Sequence, residues 1–275
     1  MRAQGGASHP HRARNPAQAQ RSGGVWWVAL LGVAACTPVG PGSAGTDSAA
    51  AADTAGSGAD TADTADTATD TADSGVDTSD TGHACQPADA TTTTVVVTDI
   101  DATLTISDTE FLKQLIEPWN IPEMRPDGDA LMRAYVALGY RIVYVTARGE
   151  DLVLLDGTSV EDATIGWLED KGFPLLDDGD VYFAPGLGEP GSGAEAYKAD
   201  LLASLQDQGY TLAYGYGNAD SDVGAYQSAG IPDAHDFLVG DLADQAGDYG
   251  VVGISTDDAY TAHLAAWMGS VPCAN

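Results

Sequence analysis

The sequence is short of positive charge. Eleven Lys and Arg stand against 41 Asp and Glu in 275 residues, a net charge of −30. A general nucleic-acid binder needs Lys and Arg to displace the counterions of a phosphate backbone, so that class is excluded. A polybasic membrane-surface protein is excluded by the same shortage. Cysteine and histidine are scarce, at three and five residues, and no CxxC or paired His supplies the spacing of a metal site. Long hydrophobic runs are missing too. The apolar stretch that ends at Cys36 begins only at Val25, well short of the roughly 20 residues with which a helix crosses a bilayer. A hydrophobic fraction of 44% is nevertheless ordinary for a globular chain, so part of the sequence is expected to fold.

What is present is unevenly placed. Residues 1–36 carry four Arg and no acid, and they lead into Val25-Trp26-Trp27-Val28 and on to Val33-Ala34-Ala35-Cys36. A basic flank, a short apolar core and small residues before a break are the parts of a secretory signal. The ending resembles a bacterial lipobox. That resemblance implies a signal peptide over 1–35, cleavage before Cys36, lipid on its sulfur and an exported, lipid-anchored protein. Thr37 rather than Asp after the Cys is, by the same resemblance, the outer-membrane sorting pattern of Gram-negative bacteria. Residues 36–84 hold nine Asp, no Lys or Arg and repeated Thr-Ala-Asp triplets such as Thr61-Ala62-Asp63-Thr64-Ala65-Asp66. Such a segment buries too little apolar surface to offset the entropy of ordering, and its like charges repel, so it reads as a disordered spacer. No Gly-bracketed loop or closing Glu makes it a calcium cage.

The remainder, 85–275, has 32 acidic and seven basic residues, a net of −25, and reads as one folded domain. Cys85 and Cys273 bracket it. In an exported protein they are either a disulfide tying the two ends together or two free thiols.

The chemistry-bearing residues fall in order along this domain. The β-branched run Thr94–Thr98 predicts a buried strand, and it ends in Asp99-Ile100-Asp101-Ala102-Thr103. Two carboxylates at i and i+2 at a strand's carboxyl end sit where open α/β sheets build sites. One can act as nucleophile and the other as general acid and base, and both can share a hard cation. A second strand, Tyr140–Val145, ends in Thr146-Ala147-Arg148-Gly149. The Thr146 hydroxyl can bond a phosphoryl oxygen, and the Arg148 fork suits a phosphate or an ion pair with a neighbouring acid. Lys198 is the only Lys or Arg after Lys171. A lone cation among acids, at the start of a predicted helix, suits the neutralisation of a phosphate and an aspartate. A strand over 211–217 then runs into a polar turn with Asn218, Asp220 and Asp222. Strands are further predicted at 180–184, 235–239 and 251–255. Helices are predicted at 108–117, 127–138, 160–171 and 257–268. This alternation implies a three-layer α/β/α fold with a mainly parallel sheet. Too little chain separates the first two motifs for a large cap domain.

Together these motifs resemble the haloacid-dehalogenase phosphohydrolase superfamily. More narrowly they resemble the lipin-type catalytic domain, which some phosphatidylinositol transfer proteins share at their carboxyl end. The resemblance runs through Asp99–Asp108, Thr146-Ala147-Arg148, Tyr197-Lys198, Tyr216-Gly217-Asn218, Asp222–Tyr226 and Ala229–Asp233. It implies Asp99 as the nucleophile, Asp101 as acid and base, and Thr146 and Lys198 as phosphoryl holders. Asp99, the Asp101 carbonyl and Asp222 would hold Mg2+, with Asn218 nearby. The implied substrate is a phosphoester, with phosphatidic acid the candidate. Three positions depart from the family pattern. Ala102 replaces its Gly, Ala219 an Arg and Ser221 an Asn. The transfer-protein relatives lack catalytic aspartates, whereas both are present here. A non-catalytic lipid- or phosphate-binding module is the alternative.

Overall fold

In this computed structural model, residues 84–188, 192–254 and 259–274 are described. The signal segment, the lipidation position Cys36 and the Asp-rich spacer lie outside the described residues.

The elements follow in chain order as β1 (Thr94–Thr98), α1 (Thr109–Ile116), α2 (Gly128–Ala137), β2 (Arg141–Gly149), α3 (Val160–Asp170), β3 (Val181–Ala184), α4 (Ser192–Asp207), β4 (Thr211–Gly217), α5 (Asp220–Ser228), β5 (Asp236–Val239), α6 (Ala246–Tyr249), β6 (Val252–Ile254) and α7 (Ala259–Trp267). The six strands pair in parallel in the order β3-β2-β1-β4-β5-β6. The chain therefore winds outward from β1 to β3 and then returns to the other side of β1. Strand order reverses between β1 and β4, and at such a switch point the loops leave in opposite directions and open a crevice.

β1 is a continuous apolar run because both of its faces are covered, as in parallel sheets generally. Val96 points with Ile142, Tyr144, Tyr216 and Phe237 into one layer, against Leu131 and Tyr135 of α2 and Trp167 of α3. Val95 and Val97 point the other way, against Leu202 and Leu205 of α4 and Tyr226 of α5. The domain is thus a three-layer α/β/α sandwich. The first layer is rich in tyrosine, whose hydroxyls need partners when buried. Tyr135 and Tyr216 share a hydrogen bond of 2.8 Å, and Trp267 donates to the Tyr135 hydroxyl at 2.9 Å. Only α1 and α2 lie between β1 and β2, so no large cap stands there.

Both ends of the domain are fastened below α2. Cys85 and Cys273 form a disulfide with Cα atoms 5.4 Å apart. The Ala88 N–H donates to Val136 and the Ala274 N–H to Leu138. These residues precede β2, so the seam lies at the end of the sheet away from the strands' carboxyl ends.

Several boundaries differ from those read in the sequence. β2 starts at Arg141 and continues past Val145 to Gly149. Its register with β3 shifts between Thr146 and Gly149. The extension needs glycine, since a Cβ on Gly149 would stand 2.2 Å from the Leu187 carbonyl carbon. β5 begins at Asp236, after a short 3-10 turn that contains His235. α4 begins six residues before Lys198, which places that lysine in the helix's second turn.

Candidate active site

The segment after β1 is held on several sides. The Asp99 N–H donates to the Tyr216 carbonyl at 2.9 Å and extends the ladder toward β4. The chain then turns, with the Leu104 and Thr105 N–H groups both on the Ile100 carbonyl. Ala102 has φ of 51°, in the left-handed region where a Cβ is strained and glycine is favoured. That is the physical reason for the Gly of the resembling families. Arg125, which the sequence reading did not single out, holds the turn. Its Nε and Nη2 donate to the Ala102 carbonyl at 3.1 and 2.7 Å.

Asp99, Lys198 and Asp222 form a buried cluster. The Lys198 ammonium donates to Asp99 Oδ1 at 2.6 Å and to Asp222 Oδ1 at 2.5 Å, and all three side chains are at most 5% exposed. Burial pushes the Asp99 carboxyl up to about 7. Lys198 opposes that rise, while Asp222 and Asp101 add to it. Burial works against the Lys198 charge, but Asp222 and Asp99 outweigh it and hold the ammonium well above its ordinary range. Glycine again permits the approach. A Cβ on Gly217 would stand 2.2 Å from that of Asp222. α5 can therefore start close against β4.

Asp101 lies in a different environment, with a fifth of its side chain exposed. The Arg148 fork grips it, Nη2 donating to Oδ1 at 2.7 Å and Nε to Oδ2 at 2.9 Å. The third guanidinium nitrogen donates to Thr164 of α3 at 2.8 Å. The Phe111 ring of α1 lies 4.3 Å from the guanidinium carbon. Of the two uses the sequence allowed for Arg148, phosphate fork or ion pair, the structure has the ion pair. Three of its five N–H groups are engaged in this way, so Arg148 orients Asp101. Thr146 is fully buried at the end of the same wall, its hydroxyl 3.4 Å from Asp101 Oδ2.

The two polar residues of the turn after β4 divide their roles in a way the sequence did not show. Asp222 is turned inward to Lys198, and its second oxygen accepts the Asn218 and Ala219 N–H groups at 3.0 and 3.1 Å, capping α5. Asn218 instead faces the segment after β1. Its terminal amide group lies 3.0 Å from the Asp101 carbonyl, 3.3 Å from Asp99 Oδ2 and 3.3 Å from Thr103 Oγ1. With nitrogen inward the amide donates to these atoms. With oxygen inward, the Asp99 carboxylate, the Asp101 carbonyl and the amide oxygen make an all-oxygen corner. Oxygen ligands about 2.1 Å from an octahedral Mg2+ stand about 3.0 Å from each other, so this donor set fits that ion. Among the described residues no three His, Cys, Asp or Glu side chains gather into a metal cage. The corner draws instead on a carboxylate, an amide and a backbone carbonyl. Asp222, expected as a direct metal ligand, accepts from Lys198 through Oδ1 and from the N–H groups of the turn through Oδ2.

Two further acids border the site. The Asp108 carboxyl is raised by burial and then by Asp101, Asp222 and Asp241. Carboxylates thus outnumber the nearby cations Lys198, Arg148 and Arg125. A phosphate dianion meets net repulsion unless a further cation is present.

A parallel sheet that reverses at β1/β4, with paired aspartates after β1, a threonine at the end of β2, a helical lysine and a polar turn after β4, defines a haloacid-dehalogenase-type α/β domain. Within that class the chain belongs to the family described as "PITM 1-3, LNS2 domain", which matches residues 96–240. It is 28% identical over 152 residues to the membrane-associated phosphatidylinositol transfer protein 3 of Mus musculus, covering 54% of this chain and 14% of that protein. It is 27% identical over 145 residues to the protein retinal degeneration B of Drosophila melanogaster, covering 52% and 10%. The chain therefore spans only a small part of the curated relatives it matches. Among solved structures it is similar to D,D-heptose 1,7-bisphosphate phosphatase of B. bronchiseptica, complexed with magnesium and phosphate. That comparison has a TM-score of 0.42 and 15% identity, over 62% of this chain and 98% of the other.

Proposed function

We propose that the domain is a Mg2+-dependent phosphomonoester hydrolase that works through an aspartyl-phosphate. The observation that carries this reading is the contrast between two carboxylates two residues apart. Asp99 is buried and paired to Lys198, whereas Asp101 is partly exposed and oriented by Arg148. Environments that differ in this way separate a nucleophile from an acid–base group.

The Asp99 carboxylate attacks phosphorus and forms an acyl-phosphate bond as the ester P–O bond breaks. Asp101 gives its proton to the departing oxygen. Asp101 then takes a proton from water, whose oxygen attacks the same phosphorus. Inorganic phosphate leaves and the Asp99 carboxylate is restored. Lys198 and Thr146 offset or bond the phosphoryl oxygens, while Arg125 keeps the turn that carries both aspartates in place. Mg2+, held by Asp99, the Asp101 carbonyl and Asp222, with Asn218 nearby, would offset the negative charge of the phosphoryl group against the surrounding acids.

Phosphatidic acid or a related phosphoester is the proposed substrate. Support comes from family membership and from relatives named for membrane association and phosphatidylinositol transfer. In this reading the chain is exported and anchored by lipid on Cys36, in the outer membrane or envelope of a Gram-negative cell. A mass spectrum of the cell-derived protein with an unmodified Cys36 removes the anchor. The alternative, a non-catalytic phospholipid-binding module, draws on the same relatives. The two part on phosphate release by the purified chain from phosphatidic acid, lysophosphatidic acid and soluble phosphoesters, with and without EDTA. Release that EDTA stops and Asp99→Asn abolishes is expected. Binding of these compounds without release supports the module and ends the enzyme reading.

A further inference from the structure

The rim of the site carries an apolar face that the core does not use. Leu112, Ile116, Trp119, Ile121, Val153 and Leu155 are large apolar residues that are 56–78% exposed. Six side chains exposed to that degree make a patch on the order of several hundred Å², at or above the largest on a typical monomer. The exposure is built rather than scattered. Leu112 and Ile116 lie one turn apart on α1, whose Phe111 and Leu115 pack inward. Val153 and Leu155 flank the buried Leu154 at the entry to a turn, which the Leu155 N–H fastens to the Leu115 carbonyl at 3.3 Å. Trp119 and Ile121 precede Pro122, which is anchored below by the Trp167 indole donating to its carbonyl at 2.8 Å. Three segments thus turn their apolar side chains outward while their backbones are held from beneath.

We propose that this face docks on an electrically neutral lipid surface, by apolar insertion rather than by charge. Two facts select that occupant. The first is place. α1 lies on the mouth of the site through Phe111 on Arg148, so a second copy seated here would cover the crevice, whereas a bilayer presents headgroups to it. The second is charge. The domain carries −25, so another copy and an anionic membrane are both repelled. The segments of the face add acid of their own in Glu117, Asp151 and Asp156, while Lys113 is offset by Glu110 at 2.6 Å. An exposed tryptophan at the edge of an apolar patch suits the boundary between headgroups and acyl chains. The docking goes beyond the phosphatase reading, because a catalytically dead domain would dock as well.

The test is vesicle flotation of the full chain carrying Cys36→Ser, which removes any acyl anchor, on phosphatidylcholine vesicles. It compares that protein with the same chain further changed at Ile121→Asp and Leu155→Asp. An independent pair, Leu112→Asp and Val153→Asp, guards against one pair misfolding, and thermal unfolding checks both. At least tenfold weaker binding in both pairs, with the parent's binding unchanged from 0.1 to 0.5 M salt, is the expected result. Equal binding by the variants places membrane affinity elsewhere in the chain and overturns the proposal. So does binding that requires anionic lipid and falls with salt. A parent that light scattering finds dimeric, and variants that it finds monomeric, would make the face a contact between copies. Phosphate release by Asp99→Asn against the parent is read separately, so loss of docking and loss of chemistry are distinguishable.

Discussion

Lys198→Met removes the one cation between Asp99 and Asp222 while keeping most of the side-chain volume. Its ammonium lies 2.6 and 2.5 Å from the two carboxylates, and all three groups are nearly closed to water. Breaking a buried ion pair by removing one partner typically costs about 3–5 kcal/mol, because an uncompensated charge stays behind. Here two carboxylates stay behind. At pH 8 a loss of about 4 kcal/mol is expected, which for a domain of this size lowers Tm by roughly 10–15 °C. The loss depends on pH. Asp99 in the intact protein is already raised to about 7, and without Lys198 its carboxyl rises further. A carboxyl raised in the folded state contributes stability that is present at low pH and lost as pH rises through its folded pKa. The variant therefore recovers part of its deficit at pH 6, where Asp99 folds in the protonated form. Adding Asp222→Asn to Lys198→Met should restore about 1–3 kcal/mol, since one of the stranded charges is removed. Urea unfolding followed by tryptophan fluorescence at pH 6 and pH 8, with the disulfide intact and EDTA present, measures all three proteins. A Lys198→Met protein within 1 kcal/mol of the parent at both pH values would refute the view that this cluster is an energetically coupled unit.

Other perturbations have equally definite outcomes. Asp236 is buried at the start of β5 with neither oxygen hydrogen-bonded among the described residues. Burial, then Asp222 and Asp233, raise it to about 7. Its contribution is therefore lost between about pH 4 and pH 7, at most about 4 kcal/mol in all. Asp236→Asn should match the parent near pH 4 and exceed it by a few kcal/mol at pH 8, and a gap that does not vary with pH defeats this account. Ala102→Gly relieves the left-handed backbone and should raise stability by up to about 1 kcal/mol after the entropy of glycine is counted, read as a higher urea midpoint. Cys85→Ser with Cys273→Ser opens a bridge between residues 188 apart. The chain-entropy relation gives a loss of about 5 kcal/mol as its upper range, and an unchanged melting temperature would show that the ends contribute nothing.

Much of the fold is legible in the sequence because its signals are local. The run Thr94–Thr98 is β-branched and apolar on both faces, and it becomes a central parallel strand. The alternation of such runs with helical segments leaves a doubly covered sheet as the economical arrangement. Asp99 and Asp101 are legible because two carboxylates follow that strand directly, and Lys198 because a cation stands out in so acidic a chain. Boundaries were less legible where tertiary contact extends an element. β2 runs on to Gly149 only because the 186–188 backbone closes against it.

The division of labour within the site was decided by the fold. Arg148 and Asp101 are 47 positions apart, and no periodicity relates them; the adjacent ends of β1 and β2 make one grip the other. Asn218 and Asp222 are both polar and lie in one turn. The start of α5 alone turns Asp222 toward Lys198 and leaves Asn218 facing the Asp101 carbonyl. Arg125 reads as an ordinary charged residue until the turn at Ala102 folds over it. The apolar face is hidden for the same reason, since Leu112, Trp119, Val153 and Leu155 are each unexceptional in the sequence. What the sequence by itself determined is which strands form, which end of the first carries the carboxylates, and how little positive charge is available to meet a phosphate. What only the tertiary structure decided is which carboxylate is buried and which is held open. That depends on partners tens of residues away, and pairing energies act through space rather than along the chain.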